Sequence, residues 1–303
     1  MNKWPSLKQL HYLITLHETR HFGEAAQLCF VSQSTLSKGI QNLEEQFGCS
    51  LYEKKDKKSA LVFTQVGEMV VKQGRDLLTK SQDLMELGQL ACGGAMQGQL
   101  RLGAIPTIAP FLLSGLVHEV NKNFPDLTLL LREDTTANLL TALQDGQLDV
   151  LVLALPVDIG NFASKVVGRD QFRMVISESQ AGSVKTPLHY SDLPDESVFL
   201  LEKEHCLTDH AVSACNLTEK SKINPFTATS LHTLVQMVAN GLGTTFIPQM
   251  AIDHGLLANH SLRVIDPPGR QAYRNIGLVW RPSSTRTETF TQLAEVIEKL
   301  LEK

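Results

Sequence analysis

Leu7, Leu10, Leu13 and Ile14 recur at helical spacing, with His17 on the same stripe, so the chain opens with an amphipathic helix. Residues 22–29 give a short second helix, in which Ala25 and Ala26 permit close approach by a neighbour. Ser32 is placed to cap a third helix. The apolar face of that helix is Leu36, Ile40, Leu43 and Phe47, at intervals of 4, 3 and 4. Gln33, Ser34, Ser37, Lys38 and Gln41 fill the opposite face without an acid, and Gly48 ends the helix. Two helices joined by a tight turn, the second polar and acid-free over its first half, fit a recognition helix for a DNA major groove. Gln33, Ser34, Thr35, Ser37 and Lys38 are the candidates for direct contact. The run Glu53-Lys54-Lys55-Asp56-Lys57-Lys58 and the apolar residues 60–63 follow, and predict a basic hairpin. Lys54, Lys55, Lys57 and Lys58 would there meet phosphate rather than bases. A solvated loop is the plain alternative, and the run's place directly behind the third helix favours the wing.

From Thr64 a helical stretch runs to about residue 90, extending roughly 40 Å at ~1.5 Å per residue. Val70, Leu77, Leu84 and Ala91 recur every seven residues, but Gln73, Gly74, Lys80 and Ser81 occupy the companion seam. This is half a coiled-coil stripe, enough to pair two subunits. Cys92-Gly93-Gly94 then reads as a hinge. Beyond Gln99, strands at 100–105, 127–133 and 150–155 alternate with helices at 108–123 and 137–145, which predicts a parallel sheet covered on both faces. A second unit follows, with strands at 173–177, 198–202 and 244–248. The last strand, 276–280, and the last helix, 288–301, fit either unit. The fold class is therefore α/β, preceded by an all-α winged helix-turn-helix.

Composition adds limits. The chain of 303 residues is 43% hydrophobic and 20% charged, as globular proteins are. It has no apolar run of membrane-spanning length and no signal-peptide pattern at its start, so a cytoplasmic protein without membrane contact is expected. The net charge of −4 is unevenly spread: residues 1–75 carry 10 Lys and Arg against 7 Asp and Glu, and the remainder 18 against 25. A mildly basic front on an acidic body suits a chain whose front alone meets phosphates. Five cysteines without a CxxC do not make a disulfide framework, and only Cys206 and Cys215 lie close together.

Val31-Ser32-Gln33-Ser34-Thr35-Leu36-Ser37, Leu43-Glu44, Phe47-Gly48 and Thr64-Gln65-Val66-Gly67 together resemble the N-terminal signature of LysR-type transcriptional regulators. Ser34 stands where that family usually has proline, and the resemblance extends over essentially the whole chain. It implies a DNA-binding domain at 1–63, a linker and dimerisation helix at 64–92, and an effector domain at 93–303. The effector domain would have two Rossmann-like lobes, as in periplasmic binding proteins: lobe I at 98–163 plus 270–303, and lobe II at 164–269. The last strand would then return to lobe I. The implied partners are double-stranded promoter DNA, RNA polymerase and the chain itself, as homodimer or homotetramer. No cofactor, no metal and no enzymatic activity are implied.

The segment from Glu204 to Cys215, with Gly103-Ala104-Ile105-Pro106-Thr107, Ala228-Thr229-Ser230-Leu231 and Gly277-Leu278-Val279-Trp280-Arg281-Pro282, is similar to the redox segment of the family's peroxide-sensing members. The resemblance implies that Cys206 reacts with hydrogen peroxide and Cys215 resolves it to a disulfide. It also implies a peroxide pocket of Thr107, Thr136, His205 and Arg281. Those members commonly carry arginine where this chain has Thr208. The residues alone leave other readings open. Both threonines suit helix caps, the cysteine pair suits buried packing, and a metal at His205, Cys206, Asp209 and His210 needs a fourth ligand. A LysR-type regulator with a small-molecule inducer between its lobes and a thiol peroxidase are the competing functions; the second gives the helix-turn-helix no role. Spacing adds one inference. In one helix, Cys206 and Cys215 would hold their Cα atoms about 13 Å apart on opposite sides. A disulfide needs about 7 Å, so oxidation would require refolding.

Overall fold

A computed structural model describes residues 4–54, 61–181, 188–202, 206–268 and 272–302. Lys55, Lys57, Lys58 and His205 lie outside the described residues, as does the side chain of Lys54. The chain divides into two compact units, Met1–Cys92 with Gln144–Gly146, and Gly93–Leu143 with Gln147–Lys303.

In the first unit, α1 (Leu7–Thr19), α2 (Phe22–Leu28) and α3 (Gln33–Phe47) pack around Leu13, Leu16, Leu36, Ile40 and Leu43, all fully buried. Each helix starts on a side-chain cap. Ser6 and Gln9 form a capping box, His21 accepts from the Glu24 N–H, and Ser32 accepts from the Thr35 N–H. Gly48, at φ 68°, closes α3 in the left-handed region. Phe47, the last residue of the expected apolar stripe, is instead exposed. Strands β1 (Tyr52–Lys54) and β2 (Leu61–Phe63) form an antiparallel pair, Tyr52 opposite Phe63. Helix α4 (Gln65–Gly93) begins against this ribbon so closely that a Cβ on Gly67 would lie 1.9 Å from the Leu51 carbonyl oxygen. Farther along α4, Leu77, Leu84 and Met85 face solvent. Among the described residues no helix is long and apolar enough to cross a membrane.

The second unit begins β3 (Gly98–Ala104), α5 (Ala109–Asn123), β4 (Leu127–Glu133), α6 (Thr136–Gln144) and β5 (Val150–Leu155). Strand β6 (Ala163–Ser177) and the short α7 (Glu178–Ala181) follow. Then come β7 (Val198–Leu201), α8 (Cys206–Ala214), β8 (Ile223–Ala228), α9 (Leu231–Ala239), β9 (Thr244–Pro248) and α10 (Gln249–Asp253). The chain ends with β10 (Leu262–Ile265), β11 (Tyr273–Trp280) and α11 (Thr287–Leu301). The strand order is β4-β3-β5-β11-β6-β9-β7-β8, with β10 on β6. The long β6 pairs with β11 over its first half and with β9 and β10 over its second, so one strand carries the chain from the first α/β lobe to the second. Strand β5 lies inside the sheet and is buried at all six positions, which is why it reads as an unbroken apolar run. Strand β11 returns antiparallel between β5 and β6, placing residues 276–280 in the first lobe.

Candidate redox site and DNA-reading helix

Strands β3, β4 and β5 are parallel, so their carboxyl ends share one edge of the sheet. Thr107 lies just beyond β3, and Thr136 opens α6 just beyond β4; both are buried. Strand β11 runs the other way, with Asn275 opposite Leu155 and Trp280 opposite Val150. The start of β11 therefore reaches the threonine edge, and its end reaches the opposite one. Arg274, near that start, is 1% exposed. It sits opposite Asp170 of β6 in register, and its Nε and Nη2 lie 3.0 and 2.9 Å from one carboxylate oxygen. The other oxygen accepts from the Met250 N–H at 3.0 Å. Held in this way, Arg274 donates from Nη1 to the Thr107 hydroxyl at 2.8 Å and from Nη2 to the Thr107 carbonyl at 2.9 Å. Because that hydroxyl accepts from arginine, its own hydrogen is directed elsewhere.

Cys206, the first residue of α8, brings its thiol to this cluster. Burial pushes the thiol above its ordinary value, and nearby Asp209 adds to the rise; the Thr136 hydroxyl, the Arg274 charge and the residue's own N–H pull it back. Among the described residues the Thr136 hydroxyl has no nitrogen or oxygen partner, and it bonds the Cys206 thiol. That hydroxyl, the fixed Arg274 guanidinium and the Thr107 hydroxyl make a buried polar cluster beside the thiol. Helix α8 then runs on without interruption, and the Cys215 N–H still bonds the Ala211 carbonyl at 2.9 Å. Cys206 and Cys215 are both free thiols, at the two ends of one helix as the spacing argument requires. Burial pushes the Cys215 thiol up to about 12. Thr208, where arginine is common in the peroxide-sensing members, turns its hydroxyl to the Leu201 carbonyl at 2.7 Å.

The structure gathers Thr107, Thr136 and Cys206, and it corrects Arg281. That residue follows the carboxyl end of β11, the edge opposite the threonines. There it donates to the Leu143 and Leu148 carbonyls at 2.7 and 2.6 Å and lies 3.8 Å from Asp149, which also binds Arg101. Ligands do gather at the carboxyl ends of parallel strands, but an antiparallel strand reaches that edge with its amino end. Applied to β11, this rule points to Arg274.

In the first unit, Gln33, Ser34, Thr35 and Lys38 are exposed along the start of α3, with Ser37 half-buried. Ser32 Oγ lies 2.9 Å from Ser34 Oγ and 2.7 Å from Thr35 Oγ1, so the first turn is ordered by its own hydroxyls. On the inner side, a Cβ on Gly39 would meet the Tyr12 ring at 2.8 Å, which fixes how near α3 lies to α1.

Residues 7–68 match the bacterial regulatory helix-turn-helix protein of the lysR family, and residues 93–302 match the LysR substrate binding domain. The chain is 39% identical over 297 residues to the HTH-type transcriptional regulator EstR of Acinetobacter baylyi, covering 98% of this chain and 97% of that protein. It is 36% identical over 297 residues to the DNA-binding transcriptional dual regulator OxyR of Escherichia coli, covering 96% and 94%. The reduced form of the regulatory domain of OxyR2 from Vibrio vulnificus is 75% identical, with a TM-score of 0.68, and covers 68% of this chain and 97% of that one. Matches to both family domains, and relatives similar along nearly the full length, lead to one conclusion: the chain belongs to the LysR family of transcriptional regulators and is related to OxyR.

Proposed function

We propose that this regulator senses hydrogen peroxide at Cys206 and reports it to promoter DNA of oxidative-stress genes through α3. The observation that carries the reading is the setting of Cys206, against the buried Thr136 hydroxyl and an arginine fixed by Asp170, with a second thiol at the far end of its own helix. Peroxide would bind beside Cys206 by hydrogen bonds to Thr107, Thr136 and Arg274, with His205, the preceding residue in the sequence, as a further candidate. The Cys206 thiolate attacks one peroxide oxygen and the O–O bond breaks. Sulfur is oxidised to sulfenic acid, and the second oxygen leaves as hydroxide and is protonated to water. Arg274 and the hydroxyls stabilise the charge that develops on the leaving oxygen. Cys215 then attacks the sulfenic sulfur, forming the disulfide and releasing a second water. Because the thiols sit two and a half turns apart, α8 has to unwind for that step, and a covalent event becomes a conformational one.

Residues 1–63 act as the DNA-binding head, with Lys54, Lys55, Lys57 and Lys58 on phosphate. Residues 64–92 pair subunits through the exposed Leu77 and Leu84, and residues 93–303 form the sensor. Refolding in the sensor would alter how effector domains pair in a homodimer or homotetramer, and with it the spacing of the heads on the operator and access for RNA polymerase. Footprinting of the full-length protein tests this reading. The footprint should change on adding peroxide, and the change should vanish in Cys206→Ser.

The match of residues 93–302 to the LysR substrate binding domain favours a second reading: a small-molecule inducer bound between the lobes. In that case Cys206→Ser leaves induction intact.

A further inference from the structure

The far end of α8 carries a contact that the peroxide chemistry does not use. Tyr190, in the 3-10 turn Tyr190–Asp192, is buried, and its hydroxyl donates to the Cys215 carbonyl across 2.7 Å. Its ring meets Phe246 of β9 edge-on, 6.3 Å between centroids, so the tyrosine is anchored in the core of the second lobe. Side-chain bonds from Thr208 to the Leu201 carbonyl and from His210 Nε2 to the Pro156 carbonyl, each at 2.7 Å, also fasten α8. The Tyr190 bond grips Cys215 itself, one of the two residues whose thiols have to meet. Closing the gap from about 13 Å between Cα atoms to the roughly 7 Å of a disulfide cannot leave that carbonyl where it is.

We propose that Tyr190 is a positioning residue for the redox reaction: its hydroxyl tethers Cys215 in the dithiol form, and loss of this bond is part of the cost of closing the disulfide. The proposal rests on the Cys206–Cys215 reading above. Oxidation of Cys206 by peroxide to the sulfenic acid leaves the tether intact. In the second step the Cys215 sulfur bonds to the Cys206 sulfur, the S–O bond breaks, and water departs with the thiol proton. The tether is released there and nowhere earlier. A hydrogen bond of this kind biases an equilibrium about fivefold. Since it favours the dithiol form, its removal stabilises the disulfide relative to the dithiol and makes the couple more reducing.

Full-length Tyr190→Phe, which keeps the ring and deletes the donor, provides the test. Its Cys206–Cys215 couple, poised in thiol–disulfide buffers, should shift by a factor of about five toward the disulfide, roughly 20 mV more negative. Disulfide closure after a peroxide pulse should accelerate about as much, while trapping of the sulfenic acid in a Cys215→Ser background keeps its rate. Wild-type protein supplies a second readout that does not depend on the variant folding. With four tyrosines in the chain, its ultraviolet difference spectrum on oxidation should show one hydroxyl changing its hydrogen bond. An unchanged potential with an unchanged closing rate overturns the tether, as does a wild-type spectrum without that change. A wild-type protein that forms no Cys206–Cys215 disulfide overturns the tether together with the peroxide reading beneath it, which separates the two failures.

Discussion

Arg274 and Asp170 face each other across the β11–β6 register, 104 residues apart in sequence, and both are almost wholly buried. One carboxylate oxygen takes two guanidinium nitrogens, and the guanidinium in turn fixes Thr107. The pair is the scaffold of the candidate site.

Breaking a buried pair from one side leaves an uncompensated charge. Asp170→Asn is therefore expected to lower the stability of the effector domain by about 3 kcal/mol. Urea unfolding followed by a probe in that domain checks the value, and a loss under 1 kcal/mol would mean that Arg274 does not depend on Asp170.

Thr136→Val separates the chemistry from stability. Among the described residues the native hydroxyl is buried without a nitrogen or oxygen partner, so its removal should cost the fold little. The same hydroxyl favours the Cys206 thiolate, and its loss should slow oxidation by peroxide about 10- to 100-fold. Stopped-flow oxidation and a thermal melt of the same sample measure the two effects, and equal oxidation rates would remove Thr136 from the site.

Cys215 makes alkaline pH destabilising. Its folded thiol stays protonated up to about 12, whereas an ordinary thiol ionises near 9.0. Between those values the unfolded chain binds fewer protons than the native one, so stability falls as pH rises. For this thiol the loss from pH 8 to pH 10 is on the order of 1 kcal/mol, and well below pH 8 its slope fades. Urea midpoints of the reduced protein at the two pH values should differ less in Cys215→Ala than in wild type; identical slopes would place the ionisation elsewhere.

On α3, side chains that read bases and those that meet phosphate should part in a salt titration. Gln33→Ala is expected to cost about 1–3 kcal/mol on an operator and little on random DNA. Lys38→Ala should weaken both and reduce the salt slope by about 1. Fluorescence anisotropy at several salt concentrations distinguishes them, and normal operator binding by both variants would move the contact surface off this face.

Much of this architecture could be read from the residues. The 4, 3, 4 spacing between Ser32 and Gly48 gives α3, and the run from Val150 to Leu155 gives a strand buried on both faces. The first half of β6 was not legible, because Lys165, Gly168, Arg169 and Gln171 interrupt it and only its partners on either side make it a strand. Strand β8 was hidden by Asn224-Pro225, which reads as a turn but is tolerated at the edge of a sheet. The site divides in the same way. Local resemblance brought forward Thr107, Thr136 and the two cysteines, whereas the role of Arg274 depends on an antiparallel register that no local pattern encodes. Arg281, one residue beyond the same strand, lies at the opposite edge, on the Leu143 and Leu148 carbonyls.

The most direct test of the central claim is mass mapping of thiols and disulfides in the reduced full-length protein after one equivalent of hydrogen peroxide. The account predicts a single new linkage, Cys206 to Cys215, lost in Cys206→Ser, with Cys29 and Cys49 still free. Unmodified Cys206 and Cys215 at that dose, or a linkage through another cysteine, would contradict it.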